Sequence, residues 1–232
     1  MGSSLKSTSK ETENSNTQSK MNIVVLISGN GSNLQAIIDA IPERGLNAEI
    51  SAVISNRASA YGLERASQAG IKGISIDHKK YASREQFDQA LIEQIDAAKP
   101  DLIVLAGFMR ILTEQFVNHY QGRLINIHPS LLPRFRGLNT HQRVLEEGDA
   151  EHGASIHYVT PDLDGGPVII QGKLTVESTD SAEGLASKVQ ELEHQIYPLV
   201  VEWFSENRLA LREDRVYLDD KELPASGFSP PA

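Results

Sequence analysis

From Asn22 the chain enters the apolar run Ile23-Val24-Val25-Leu26-Ile27, the pattern of a strand covered on both faces. Leu34, Ile37, Ile38 and Ile41 follow at i, i+3, i+4 and i+7, which predicts a helix that starts near Ser32 and stops before Pro42. The alternation continues with strands at residues 50–55 and 73–76 and helices at 61–69 and 84–98. Apolar runs at 101–106 and 123–127 supply two more buried strands. Strands alternating with helices imply right-handed crossovers, hence an α/β fold with a doubly wound, mostly parallel, Rossmann-like sheet.

After His128 the pattern changes. A loop containing Pro and Arg leads to a short helix near 142–147 and to strands at 154–159 and 168–176. Their connection across Asp164-Gly165-Gly166 is too short for a helical crossover, so an antiparallel pair is expected. A long helix over residues 182–204 carries Leu185, Val189, Leu192, Ile196, Val200 and Trp203 on one face and contains Pro198, where a kink is expected. Residues 209–223 suit a small hairpin. These elements predict one domain over 21–223, with an N-terminal half at 21–120 and a C-terminal half at 121–223. Residues 1–20 hold one large apolar side chain, Leu5, among Ser, Thr, Asn, Lys and Glu, and read as a disordered leader or an appended remnant. Residues 224–232 read as a flexible tail.

Composition narrows the chemistry. Of 232 residues, 40% are hydrophobic and 23% charged, as in a globular domain. The net charge of −9 argues against a nucleic-acid surface, which wants clustered Lys and Arg. With no cysteine, disulfides, thiolate nucleophiles and Cys-ligated zinc are excluded, and a reducing cytoplasmic setting is expected. No apolar run approaches the roughly 18 residues that span a bilayer, so no membrane partner is expected.

Candidate chemistry lies in two motifs. Ser28-Gly29-Asn30-Gly31-Ser32-Asn33 sits between the first strand and helix, where unpaired amides and the helix dipole attract phosphate. Leu34 stands where a dinucleotide fingerprint has its third glycine, and Ser55-Asn56-Arg57 closes the second strand without an acid. A single phosphate therefore fits better than a dinucleotide. Taken alone, the loop fits equally a tight turn with Asn and Ser as caps. The second motif is Asn126-Ile127-His128-Pro129-Ser130-Leu131-Leu132-Pro133, completed by Asp164-Gly165-Gly166. Asn126 and His128 emerge on the same face of an extended segment. An amide, an imidazole and a carboxylate at a sheet edge are the parts for stabilising an oxyanion and moving a proton. His128 by itself reads equally as a satisfied core histidine, and Asp164 as a turn former. His141, His152 and His157, with Asp162 and Asp164, match no familiar zinc spacing, so no metal is expected.

These motifs resemble the formyltetrahydrofolate-dependent transferases, over residues 21 to about 203. The resemblance implies transfer of a formyl group from 10-formyltetrahydrofolate, as co-substrate, to the amine of 5′-phosphoribosylglycinamide in purine biosynthesis, by direct attack and an oxyanion intermediate. It assigns catalysis to Asn126, His128 and Asp164. Gly31, Ser32 and Asn33 would hold the substrate phosphate, and Gln190 and Glu193 its ribose and amine end. Met109, Arg110, Ile111 and Leu112 would line the pterin pocket, with Asn126, Thr160 and Asp164 on its other wall and Arg84 near the benzoylglutamate tail. Read bottom-up, residues 109–112 are a loop packed on the core, Arg84 a solvated side chain and Glu193 an exposed helical acid. Other reactions of the family are disfavoured: a transfer-RNA acceptor wants a basic surface and an added C-terminal domain, and hydrolysis is expected with a longer N-terminal extension. A non-catalytic binding domain is disfavoured by the joint presence of the three catalytic side chains. The expected oligomeric state is a monomer or weak homodimer.

Overall fold

The computed structural model describes residues 19–230, so the expectation for residues 1–20 lies almost wholly outside it. Seven strands form one sheet in the order β3-β2-β1-β4-β5-β6-β7. They are β1 (Met21–Ile27), β2 (Ala48–Ser55), β3 (Lys72–Ser75), β4 (Leu102–Leu105), β5 (Leu124–His128), β6 (Glu151–Tyr158) and β7 (Val168–Thr175). β1 to β5 pair in parallel, and β6 and β7 add antiparallel. The chain winds outward from β1 to β3, then returns to place β4 on the other side of β1. That reversal leaves a crevice at the carboxyl ends of β1 and β4, where α/β sheets bind ligands.

Alternate residues of β1 serve opposite layers. Ile23, Val25 and Ile27 pack with α1 (Ser32–Glu43), α2 (Tyr61–Gln68) and α6 (Ala182–Ser205), whereas Val24 and Leu26 pack with α3 (Arg84–Ala98) and α4 (Glu114–His119). Both faces are thus covered, which is why the strand is apolar throughout. α5 (Thr140–Glu147) adds Val144 to a satellite cluster with Phe135 and Leu185. A second sheet of β8 (Leu209–Arg212), β9 (Arg215–Leu218) and β10 (Lys221–Glu222) buries Val216 and Leu218 against the main core.

Three expectations need correction. α1 runs through Pro42 rather than stopping before it; the proline forfeits one bond in the last turn, while Arg44 and Leu46 still donate back to Ala40 and Ile41. α4 and a short 3-10 turn over His78–Lys80 escaped the sequence reading, because three to six residues are too few to show a period. Residues 227–228 do not hang free. Phe228 bridges Ile170 and stacks edge-on against Trp203, with its amide on the Ile169 carbonyl and its carbonyl taking the Gln171 amide.

Candidate active site

β5 ends on His128, and pleating places Asn126 and His128 on one face. Antiparallel pairing sets His157 of β6 opposite Asn126 and Ser155 opposite His128. The Asn126 amide donates to His157 Nε2 at 3.2 Å. His157 Nδ1 donates to the Tyr158 carbonyl at 2.9 Å, so the ring is the Nδ1-protonated tautomer. Burial holds the His157 pKa below its ordinary value. A neutral ring facing Asn126 with a lone pair orients the amide, NH2 toward His157, and leaves the second N–H for a substrate oxygen.

His128 is 6% exposed. Its Nε2 donates to the Phe135 carbonyl at 2.9 Å, and its Nδ1 lies 3.4 Å from Asp164 Oδ2. One nitrogen is thus hydrogen-bonded and the other lies beside the Asp164 carboxylate. Asp164 comes from the β6–β7 connection with φ +47°, a left-handed conformation that Asp tolerates. Its Oδ2 accepts from the Gly137 amide at 2.9 Å, and its Oδ1 is 3.8 Å from His157 Nε2. The glycines that follow have steric reasons: a Cβ on Gly166 would strike the Tyr158 carbonyl, and one on Gly165 the Asp162 side chain. Ser155 Oγ donates to the Ser130 carbonyl and accepts from the Leu132 amide, and Gln171 donates to both Ser155 Oγ and the Leu132 carbonyl. This network pins the turn that follows His128.

The glycine-rich loop lies at the carboxyl end of β1, on the same edge of the sheet. Gly31 is the N-cap of α1, with φ +74° and no side-chain cap. The first amides of α1 therefore point outward without an intrahelical acceptor. Arg65 of α2 holds the loop from behind, bonding the Asn30 carbonyl, Asn30 Oδ1 and Gln35 Oε1. From α6, Gln190 donates to Ser32 Oγ at 3.0 Å and Glu193 Oε2 accepts from Asn33 at 2.8 Å. Glu193 is buried, contrary to the bland reading of an exposed acid, and desolvation pushes its carboxyl above the ordinary value.

Met109 and Ile111 project into solvent, while Arg110, Ile111 and Leu112 make no backbone hydrogen bonds among the described residues. The Met109 amide donates to Ser28 Oγ, which ties this segment to the residue that precedes the glycine-rich loop. Arg84 opens α3, exposed, one turn from Asp88, whose carboxylate takes the Thr113 amide. Thr160 and Asp164 line a cavity of about 700 Å³ together with Asp214, Arg215 and Glu222. Met109, Arg110, Ile111, Leu112 and Arg84 do not line it. Among the described residues no group of three or more His, Asp or Glu side chains could hold a metal ion, and no helix is long and apolar enough to cross a membrane.

The structure thus gathers Asn126, His128 and Asp164 around one point and Gly31, Ser32, Asn33, Gln190 and Glu193 around another. It adds His157 and Ser155, which the sequence reading left out. Their signal was present as Ser155 and His157 alternating with Ala154, Ile156 and Tyr158 in the buried part of the strand, legible only once β6 is known to pair antiparallel with β5.

A profile of the formyl transferase family matches residues 21–201. The phosphoribosylglycinamide formyltransferase of Escherichia coli (strain K12) is 55% identical over 209 residues, covering 90% of this chain and 99% of the relative. That of Haemophilus influenzae is 47% identical over 89% of this chain and 98% of its own. The solved structure of the Coxiella burnetii phosphoribosylglycinamide formyltransferase, in complex with CHES, superposes with a TM-score of 0.88 at 56% identity, covering 91% of this chain and all of that one.

Proposed function

The chain belongs to the formyl transferase family, and on that footing we propose that it transfers the formyl group of 10-formyltetrahydrofolate to the amine of 5′-phosphoribosylglycinamide in purine biosynthesis. The observation that carries this reading is that Asn126, His128 and Asp164 and a separate, uncapped helix N-terminus at Gly31, Ser32 and Asn33 stand at the same edge of one sheet. One cluster suits acyl chemistry and the other suits a phosphorylated acceptor.

The residues present fit a folate. Peptide groups at 110–112, unpaired among the described residues, offer donors and acceptors to a flat heterocycle, Met109 and Ile111 offer apolar surface, and Thr160 and Asp164 would supply the opposite wall from the cavity that they line. Bound there, the folate supplies an activated formyl carbon. Gly31, Ser32 and Asn33 hold the acceptor phosphate through main-chain amides, while Gln190 and Glu193 meet the ribose and orient the amine for attack. Asn126 donates to the formyl oxygen as negative charge develops on it, and His128 as an imidazolium adds positive charge beside it. A direct bond from Nε2 requires displacement of the Phe135 carbonyl. As the new C–N bond forms and the bond to folate N10 breaks, the amine loses one proton and N10 gains one. Asp164 keeps His128 oriented and organises water for that transfer. Arg84 meets the anionic tail of the folate.

The test is turnover with and without the acceptor. Tetrahydrofolate should be released slowly from formylfolate and enzyme alone, and rapidly once the ribonucleotide is added, with the formyl group on its amine. Equally fast release without the ribonucleotide, yielding formate, would replace transfer by hydrolysis.

A further inference from the structure

Between β4 and α4 the chain crosses the mouth of the crevice as residues 106–113, without regular structure. A stretch whose peptide groups at 110–112 bond to nothing among the described residues has little to hold its shape. It is nevertheless anchored at both ends. At its start the Met109 amide donates to Ser28 Oγ at 2.7 Å, and the Ser28 proton goes to Asn56 Oδ1 at 2.6 Å. Ser28 and Asn56 are 2% and 1% exposed. At its end the Thr113 amide donates to Asp88 Oδ2 at 2.6 Å.

Asp88 is the unexpected group. It is an acid on the buried side of α3, 2% exposed, and its second oxygen has no hydrogen-bond partner among the described residues. Burial pushes its carboxyl above the ordinary value, with the hydrogen bonds from Thr113 pulling the other way. Removing a carboxylate from water is unfavourable, and bonds from one residue offset it only in part. Thr113 caps α4, its Oγ1 accepting from the Phe116 amide, so the acid holds the residue at which the open stretch passes into the helix. The bond to Asp88 falls at the last residue of the open stretch and determines where that stretch ends.

We propose that Asp88 and Ser28 are positioning residues for the folate, holding residues 109–113 as an open main-chain edge with its peptide groups presented to the heterocycle. This rests on the reading of residues 109–112 as the pterin wall. Ser28 precedes the loop that holds the acceptor phosphate, so it sets the distance between the two ligands as well. Asp88 touches only the folate side.

The test compares Asp88→Ala, Asp88→Asn and Ser28→Ala in steady-state kinetics with both substrates varied, alongside thermal melts. Asp88→Ala should raise the KM for 10-formyltetrahydrofolate at least about tenfold, as expected for losing a charge-assisted bond, with the KM for the ribonucleotide within about twofold. Asp88→Asn keeps an acceptor oxygen for the Thr113 amide and should restore most of the loss. Ser28→Ala should raise the folate KM too. If Asp88→Ala does not melt cooperatively, Asp88→Leu fills the space without an acceptor and takes its place. A variant that melts lower yet keeps the wild-type folate KM would overturn the proposal in favour of a purely structural acid. Leu112→Pro, which removes one N–H of the edge, separates the two readings: unchanged folate KM there removes the pterin wall itself, whereas a raised KM there with an unaffected Asp88→Ala removes only the anchoring role.

Discussion

At the scale of single residues the chemistry rests on contacts that can be removed one at a time. His128→Ala and Asp164→Asn should each lower kcat at least ~100-fold, the usual scale for a positioned acid–base group. Asn is the right replacement for Asp164 because it also tolerates the left-handed backbone at φ +47°. A folded variant with near-wild-type turnover would remove that residue from the mechanism. Asn126→Ala should raise the barrier by about 2.7–4 kcal/mol, as for an oxyanion donor. His157→Phe fills the same buried space but offers Asn126 no acceptor, and we expect about a tenfold fall in kcat with little change in either KM. Gly31 has a different lesson. A side chain there points at the Gly62 backbone, 2.8 Å from an added Cβ, and not toward an incoming phosphate. Gly31→Ala should therefore lower thermal stability and acceptor affinity together, whereas Ser32→Ala should weaken the acceptor in calorimetry with the melt unchanged.

At the scale of elements, the pairing of β5 with β6 does more than extend the sheet. It imports His157 and Ser155; further along β6, His152 meets the ring of His141 of α5 at 2.9 Å. Burial is the first cause lowering the pKa of His141, His152 and His157, and it takes His152 to about 4. Unfolded, each titrates near ~6.5. The unfolded chain binds more protons between those values, so their contribution is full above pH ~6.5 and is lost as pH falls toward 4, by at most about 1.4 kcal/mol per pH unit per histidine. Asp88 and Glu193, whose carboxyls burial raises, act in the opposite sense as they take up protons. The denaturant midpoint should nonetheless fall between about pH 7.5 and about pH 5, and fall less in His152→Gln. A midpoint independent of pH would contradict this account. The C-terminal segment makes a comparable point: Gly227, at φ +72° with the Ile169 backbone 2.7 Å from an added Cβ, admits no other residue, and Gly227→Ala should destabilise by more than ~1 kcal/mol.

For the whole molecule, the reversal of strand order between β1 and β4 sets both ligand regions on one edge of a single sheet. The Ser28 bond to Met109 joins them across the crevice, and β4 pairs β5 without interruption from the first half to the second. One cooperative unit should result. A thermal melt should show a single transition that rises with either ligand, by about 2.7 kcal/mol of added stability at a hundredfold excess over Kd. Two transitions, with each ligand moving a different one, would divide the chain into two domains.

The sequence by itself determined the α/β class and the order of nearly every element, which follow from periodicity, a local property of the chain. It also singled out Asn126, His128 and Asp164, through motifs whose resemblance to a family implied their role. Only the tertiary structure decided the rest. His157 faces Asn126 because of an antiparallel register across 31 positions, Glu193 is buried because α6 packs on α1 and brings it to Asn33, and Asp88 meets Thr113 across 25 positions. Phe228 looked like the end of a tail because its partners, Ile170 and Trp203, are distant in the chain. A buried polar residue and an exposed one read alike in sequence, since burial and hydrogen bonding are set by whichever surface arrives from elsewhere in the fold.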